Sequence, residues 1–265
     1  MQRRNLIAVA AAGALALTLP AAHAQVVDLS DAINKAGRQR MLSQRMGKAW
    51  LAIANGSEKL AAQGILEKSI GLFELQLSDL KAFATATDIR DTYGKLDAEW
   101  GRYKAALVGT TPSRENAANM LQLNAAVLAL AHKGTVQFEA VMGKPVGKLV
   151  NVAGRQRMLS QRMAMFFFSA SLSVQPEVAH AEIDKARKEF VTAMDFLRSA
   201  PQTTPRIAQE LQLADGQWVF FNAALERIGK PHADPSRPLT EVFIASENLL
   251  AVMDQVTGMY SSLKT

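Results

Sequence analysis

The sequence predicts an all-α protein in which two tandem antiparallel four-helix bundles form a pseudo-dimer within one chain. Three observations lead to this prediction. The run AGRQRMLSQRM occurs at 36–46 and again at 153–163, identical at all eleven positions. Ala, Leu, Gln, Met and Lys dominate, whereas alternating runs of β-branched residues are scarce. Helix-breaking residues divide each copy into four segments.

Residues 1–24 have the pattern of a cleaved signal peptide. Arg3 and Arg4 form a basic start, an apolar stretch follows, and Ala22-His23-Ala24 matches the small residues of a cleavage site. The apolar stretch is short for a bilayer span, and no later run is long enough. We therefore expect an exported, extracytoplasmic protein that is soluble after cleavage.

Each copy is expected to contain four helices joined by short loops. The breakers predict helices at 29–55, 58–86, 88–108 and 113–142 in the first module, 25–144. They predict helices at 146–174, 176–200, 204–229 and 238–264 in the second module, 145–265. An antiparallel four-helix bundle ends at the end where it began. The short link between the modules would therefore set their first helices side by side.

The composition argues against several classes of function. Without Arg3 and Arg4, 28 Lys and Arg residues remain against 24 Asp and Glu, an excess too small and diffuse to indicate a nucleic-acid partner. There is no cysteine for disulfides. His132, His180 and His232 are far apart in the sequence, and the motifs of hydrolases, zinc sites and phosphate-binding loops are missing. We expect no enzymatic activity, no metal and no other cofactor.

The repeated run places small and polar residues on one face of each first helix. At about 100° per residue, Gly, Ala, Ser and Gln surround an arginine, and the opposite face is apolar. The arginine face consists of Arg40 with Ala36, Gly37, Ser43, Gln44 and Gly47, and of Arg157 with Ala153, Gly154, Ser160, Gln161 and Ala164. Leu42, Met46, Leu159 and Met163 lie opposite and are expected in the bundle cores.

The small residues would let the two first helices approach closely and would bring Arg40 and Arg157 together. Two guanidiniums in a semi-enclosed interface repel each other and lose hydration. A planar oxyanion between them would match the fork of each guanidinium. We expect this anion site beside Gly37 and Gly154, with neutral donors from four further side chains. These are Ser43, Ser160, Gln44 and Gln161.

An alternative is that Arg40 and Arg157 bind no ligand. Arginines on helices commonly bind carboxylates of their own bundle, and the repeated run could be needed for helix packing alone. Arg38 and Arg45, and Arg155 and Arg162 in the second copy, lie on a flank of the helix. We expect these four to form salt bridges within their bundles or to be surface charges.

These residues resemble the signature of the PilJ-type sensor domain, which occurs in type IV pilus chemoreceptors and in nitrate/nitrite sensor histidine kinases. The matching residues are Ile33-Asn34-Lys35-Ala36-Gly37, Arg40-Met41, Ser43 and Arg45, and in the second copy Asn151, Ala153, Gly154, Arg157-Met158, Ser160 and Arg162. The second copy has Val150 in place of Ile and Val152 in place of Lys. The resemblance covers nearly the whole chain after residue 24. In the nitrate sensors, the domain is a periplasmic four-helix bundle that binds nitrate between paired first helices.

The resemblance implies a periplasmic sensor protein that binds a nitrate- or nitrite-like anion. The ligand arginine of the nitrate sensors corresponds to Arg40 and Arg157 here. A membrane chemoreceptor or a sensor kinase is the partner that the resemblance implies. The alternative is a structural or interaction module that docks on a PilJ-type receptor without a small ligand.

Overall fold

The computed structural model describes residues 25–230, 234 and 236–263, which form eight α-helices and no β-strand. The helices are α1 (Leu29–Ala54), α2 (Lys59–Phe83), α3 (Thr87–Gly109), α4 (Arg114–Met142), α5 (Pro145–Ser171), α6 (Pro176–Ser199), α7 (Pro205–Leu225) and α8 (Ser236–Ser261). The predicted all-α fold with two four-helix repeats is therefore confirmed. The predicted signal peptide at 1–24 and His232 lie outside the described residues.

Local capping chemistry explains where several helices begin and end. The side chain of Asp28 accepts a hydrogen bond from the backbone N–H of Asp31 and caps α1. Pro145, Pro176 and Pro205 begin α5, α6 and α7, at a position where a helix does not need the missing N–H. Gly143 ends α4 in the left-handed conformation that glycine adopts without strain.

The largest difference from the predicted boundaries is at the end of α7, which was expected to continue to 229. The helix ends at Leu225. The backbone N–H groups of Arg227 and Ile228 donate to carbonyls three residues earlier, so the chain tightens into turns. The left-handed Gly229 follows these turns.

The helices α1 and α5 lie at the centre of the molecule and are buried on nearly all sides. They pack against each other, α1 also packs on α2 and α4, and α5 packs on α6 and α8. In addition, α8 reaches α1 and α4 reaches α5. Each fourth helix therefore contacts the first helices of both modules. No helix in the described part of the chain is both long and apolar enough to cross a membrane.

The two modules repeat the same internal packing. Phe73 stacks on Trp100 with ring centroids 4.2 Å apart, and Phe190 stacks on Trp218 at 4.5 Å. Such offset aromatic pairs add stability beyond the area that they bury. An equivalent aromatic pair therefore connects the second and third helices in each module.

A glutamine of each repeated run bonds to the same aromatic residue in its module. Gln39 Nε2 donates to the carbonyl oxygen of Phe73 at 3.1 Å, and Gln156 Nε2 donates to that of Phe190 at 2.7 Å. Both glutamines are fully buried. The hydrogen bond compensates part of the cost of burying the amide and fixes the first helix against the second.

The predicted core residues Leu42, Met46, Leu159 and Met163 are all buried. Leu42→Ala or Leu159→Ala should lower the free energy of unfolding by about 2–5 kcal/mol, because each change removes a buried side chain and leaves a cavity. Urea unfolding followed by circular dichroism measures this loss. Leu60→Ala is the control, since Leu60 is 88% exposed. Equal stability of Leu42→Ala and the wild type would contradict the assignment of the core face.

Candidate functional site

Arg40 and Arg157 meet at the contact between α1 and α5, and both side chains are fully buried. A Cβ atom placed on Gly37 would lie 3.3 Å from Arg40 Nη2 and 3.5 Å from Arg157 Nη2. A Cβ atom on Gly154 would lie 3.2 Å from Arg157 Nη2 and 3.7 Å from Arg40 Nη2. Both guanidiniums therefore lie over the same pair of glycines, where the absence of side chains leaves them room.

Each arginine donates a hydrogen bond to the backbone of the other module. Arg40 Nη2 donates to the carbonyl oxygen of Asn151, and Arg157 Nη2 donates to that of Asn34, both at 3.1 Å. The Nε of each arginine is buried and has no hydrogen-bond partner in the described part of the chain. A buried donor of a charged group that lacks a partner is destabilising. The hydrogen bonding of the arginine pair is thus incomplete.

The fourth helices give the two arginines different partners. Arg157 Nη1 donates to the carboxylate of Asp254 on α8. Arg40 Nη1 instead lies 3.3 Å from Nδ1 of His132 on α4. Because a guanidinium N–H can only donate, Nδ1 accepts and the imidazole is neutral. Partial burial, followed by the positive charges of Arg40 and Arg155, lowers the pKa of His132 to about 4. No carboxylate among the described residues is within salt-bridge distance of Arg40.

The charges of the arginine pair are therefore poorly compensated. Burial, and then the charges of Arg155 and Arg157, lower the pKa of Arg40 to about 9, although the charges of Glu139 and Glu189 oppose this change. Burial also lowers the pKa of Arg157 to about 10, although the charge of Asp254 opposes this change. Two buried guanidiniums with one carboxylate in direct contact form a site that favours a further negative charge.

The serines of the predicted site bond within their own helices. Ser43 Oγ donates to the carbonyl oxygen of Arg40 at 2.8 Å, and Ser160 Oγ donates to that of Arg157 at 2.9 Å. Because these hydroxyl protons are used inside the helix turn, the serines do not point free donors at the arginine pair. They hold the turn from which each arginine extends.

The glutamines of the predicted site bond to the fourth helices. Gln44 Nε2 donates to Asn124 Oδ1 on α4 at 2.7 Å, and Gln161 Nε2 donates to the carbonyl oxygen of Ser246 on α8 at 2.9 Å. Because Gln44 and Gln161 are equivalent, Asn124 on α4 corresponds to Ser246 on α8, and the sequences of the two helices can be aligned at this pair. The same register aligns Ala125 with Glu247 and His132 with Asp254.

The flanking arginines of the first copy form salt bridges between modules, which corrects the expectation that they would pair within their bundle. Arg38 pairs with Asp254 at 2.9 Å, and Arg45 pairs with Glu247, both carboxylates being on α8. The buried Lys48 also binds Glu247. The reason is that α8 extends across to α1, so its carboxylates lie beside the arginines of the other module.

The flanking arginines of the second copy pair within their own module, as expected. Arg155 binds Glu189, and Arg162 binds Glu182 at 2.8 Å, both on α6. Identical arginines are thus neutralised by α8 in one copy and by α6 in the other.

Sequence reasoning missed His132 and Asp254 as neighbours of the arginine pair. They could have been found by aligning the sequence of α4 with that of α8, at an offset different from the one that relates the two copies of the repeated run. No group of three or more His, Asp and Glu side chains in the described part of the chain is placed to hold a metal ion.

Comparison with known proteins identifies one family. A sequence model of PilJ, described as the N-terminal part of type IV pili methyl-accepting chemotaxis transducers, matches residues 22–127 and 143–255. Each matched segment contains one copy of the repeated run. No curated protein and no solved structure matches.

The salt bridges around Glu247 predict how stability depends on pH. Burial raises the pKa of Glu247, but Lys48 and Arg45 outweigh it and hold the pKa at about 2, below the usual 4.5. A carboxyl group whose pKa is lowered by folding stabilises the protein above its unfolded-state pKa and loses this contribution as the pH falls through its folded-state pKa. The contribution of Glu247 should therefore disappear between about pH 4.5 and pH 2.

Glu247→Gln should lower the free energy of unfolding at pH 7 by about 1–3 kcal/mol, because Arg45 and Lys48 lose a charged hydrogen-bond partner. The difference from the wild type should shrink as the pH approaches 2. Urea unfolding at pH 7, 4 and 2.5 measures both effects. Glu99→Gln, at a surface pair with Arg102, is the control. A constant difference between Glu247→Gln and the wild type at all three pH values would contradict this account.

Proposed function

Because the chain belongs to the PilJ family, we propose that it is a periplasmic sensory protein that binds one small oxyanion of the nitrate or nitrite kind between Arg40 and Arg157. The family consists of N-terminal parts of chemotaxis transducers, which sense rather than catalyse. The observation on which the proposal rests is the pair of fully buried guanidiniums over Gly37 and Gly154.

The arginine pair lacks what an anion would supply. Burial has removed the hydration of both side chains, and Arg40 has a neutral imidazole where Arg157 has a carboxylate. A planar oxyanion can accept hydrogen bonds from both guanidiniums at once, and charge-assisted bonds are stronger where water is excluded. The Nε groups without partners are additional donors that a small rearrangement would make available.

The remaining residues of the predicted site would support the arginines. Ser43 and Ser160 fix the helix turns that present them, and Gln44 and Gln161 fix those turns against α4 and α8. The direct contacts of the anion would then come from the two arginines and the backbone near the two glycines.

Binding at this place would alter the contact between the two modules. The anion would touch α1 and α5, and through His132 and Asp254 it would influence α4 and α8. A change in how the helices pack is a signal that another protein can read. We propose a membrane chemoreceptor or sensor kinase as that protein.

Thermal unfolding of the purified protein in nitrate, nitrite, sulfate, phosphate and chloride at equal ionic strength tests the proposal. Nitrate or nitrite should raise the melting temperature progressively as its concentration increases, because a ligand of the folded state stabilises it by mass action. Arg40→Gln should weaken binding about ten- to hundredfold, since it removes a charged hydrogen-bonding partner. Without ligand, Arg40→Gln should be at least as stable as the wild type, because the repulsion of Arg157 is relieved.

Two further variants sharpen the measurement. Gly37→Ala places a methyl group against both guanidiniums and should abolish the anion effect. Arg102→Gln removes a charge from an exposed position and should leave the effect intact. If no anion shifted the wild type and Arg40→Gln destabilised it, Arg40 would be a structural residue and the proposal would be wrong.

A further inference from the structure

A cavity of about 250 Å³ lies between α4, α5 and α6, beside the arginine pair but lined by neither Arg40 nor Arg157. Its charged lining comes from Arg155 and Arg162 on α5 and from Glu182, Lys185 and Glu189 on α6. Its apolar lining includes Leu128 on α4 and Met158 on α5, and His132 closes it towards Arg40.

The equivalent groove of the other half, between α8, α1 and α2, is filled by carboxylates of the protein. Glu247 on α8 binds Arg45 and Lys48 there, and Asp254 binds Arg38. In the register that aligns α4 with α8, Ala125 corresponds to Glu247 and His132 to Asp254. The cavity therefore occupies the place where the other half of the molecule has carboxylates on its fourth helix. Arg155 and Arg162 pair instead with Glu189 and Glu182 on α6.

The charges that remain around the cavity favour an anionic group. Arg155 and Arg162 are paired with Glu189 and Glu182, whereas Lys185 forms no ion pair with any described residue. The lining thus keeps one positive charge in excess.

Two lining side chains also have N–H groups that a carboxylate ligand could use as hydrogen-bond donors. His132 uses Nδ1 for Arg40, so its Nε2 carries the proton and is a donor without a protein partner in the described part of the chain. Arg162 Nη1 is satisfied by Gln44 Oε1 at 3.2 Å, a neutral acceptor that an incoming carboxylate would outcompete.

We propose that this cavity binds a small organic monocarboxylate with a short apolar body. The carboxylate occupies the position that the side chain of Glu247 has in the other half, contacts Arg162, the equivalent of Arg45, and also contacts Lys185 at the edge of the cavity. The apolar body lies on Leu128 and Met158. The volume of about 250 Å³ suits a small molecule, since pockets for drug-sized ligands typically measure about 300–1,000 Å³. This proposal does not depend on the oxyanion site.

Isothermal titration calorimetry of the purified protein with benzoate and with 4-methylpentanoate tests this proposal. Both carboxylates should bind, and benzamide, the uncharged analogue of benzoate, should bind at least about tenfold more weakly because it lacks the charge. Ala125→Glu should reduce benzoate binding by about tenfold or more, since the new carboxylate pairs with Arg162 and fills the cavity.

Substitution of two exposed lysines at equivalent positions provides a test variant and a matched control, and neither change affects the protein core. Lys185→Gln should weaken benzoate binding several-fold. Lys68→Gln changes the equivalent exposed lysine on α2, in the half where the carboxylates are present, and should leave binding unchanged. If Ala125→Glu failed to fold by circular dichroism, these two variants would still decide the outcome.

Several results would overturn the proposal. One is the absence of binding of both carboxylates, and another is equal binding of benzamide and benzoate. Tighter binding of leucine than of benzoate would show that the cavity selects an amino acid. Saturating nitrate and the Gly37→Ala variant should leave benzoate binding unchanged, and competition by nitrate would instead place benzoate at the arginine pair. The two proposed sites can therefore fail independently.

Discussion

The contact between α1 and α5 is the constraint on which the rest of the molecule depends. A Cβ atom placed on Gly37 would lie 3.9 Å from the Cα atom of Gly154, and each glycine leaves room for both guanidiniums. At this distance Arg40 and Arg157 reach the backbone of the opposite module and lose all exposure to solvent. The buried charges then determine which side chains the surrounding helices can place beside them. Close packing of the first helices thus buries two positive charges next to each other. Side chains of the other helices and the proposed oxyanion would compensate these charges.

The identity of the two copies of the repeated run follows from the contacts of its central residues. The glutamine, the arginine and the serine each bond to an equivalent backbone carbonyl in both halves: that of an aromatic residue, that of an asparagine in the other module and that of the preceding helix turn. The flanking arginines are just as invariant, yet their carboxylate partners come from α8 for one copy and from α6 for the other. The run therefore fixes the first helices, and the outer helices were free to diverge as long as they supplied negative charge.

The spacing of helix-breaking residues was sufficient to predict the eight helices, and helical periodicity predicted the core face of Leu42 and Leu159. The small residues of the repeated run, with the short link between the modules, predicted the approach of Arg40 to Arg157. Helical periodicity was not sufficient for the hydrogen bonds of Ser43 and Gln44, because a helical wheel gives the direction of a side chain but not the acceptor that it selects. The pairing of Arg38 with Asp254 also escaped prediction, since it connects helices of different modules. The loop before α8 is longer than the loop before α4, so the fourth helices do not align at the offset of the repeated run. A comparison of the two copies at the offset of the repeated run therefore does not match Asp254 with His132.

Fusion of the two modules in one chain permits a difference that a symmetric dimer would forbid. In a dimer of identical chains, both arginines would have the same partner on the fourth helix, and any charge imbalance would be shared equally. Here Arg157 has Asp254, while Arg40 has a neutral histidine and a pKa lowered to about 9. An anion between the two would therefore interact more favourably with Arg40, whose charge is less compensated. The same loss of symmetry leaves Ala125 where the other half has Glu247, and so opens the cavity on the side of the less compensated arginine.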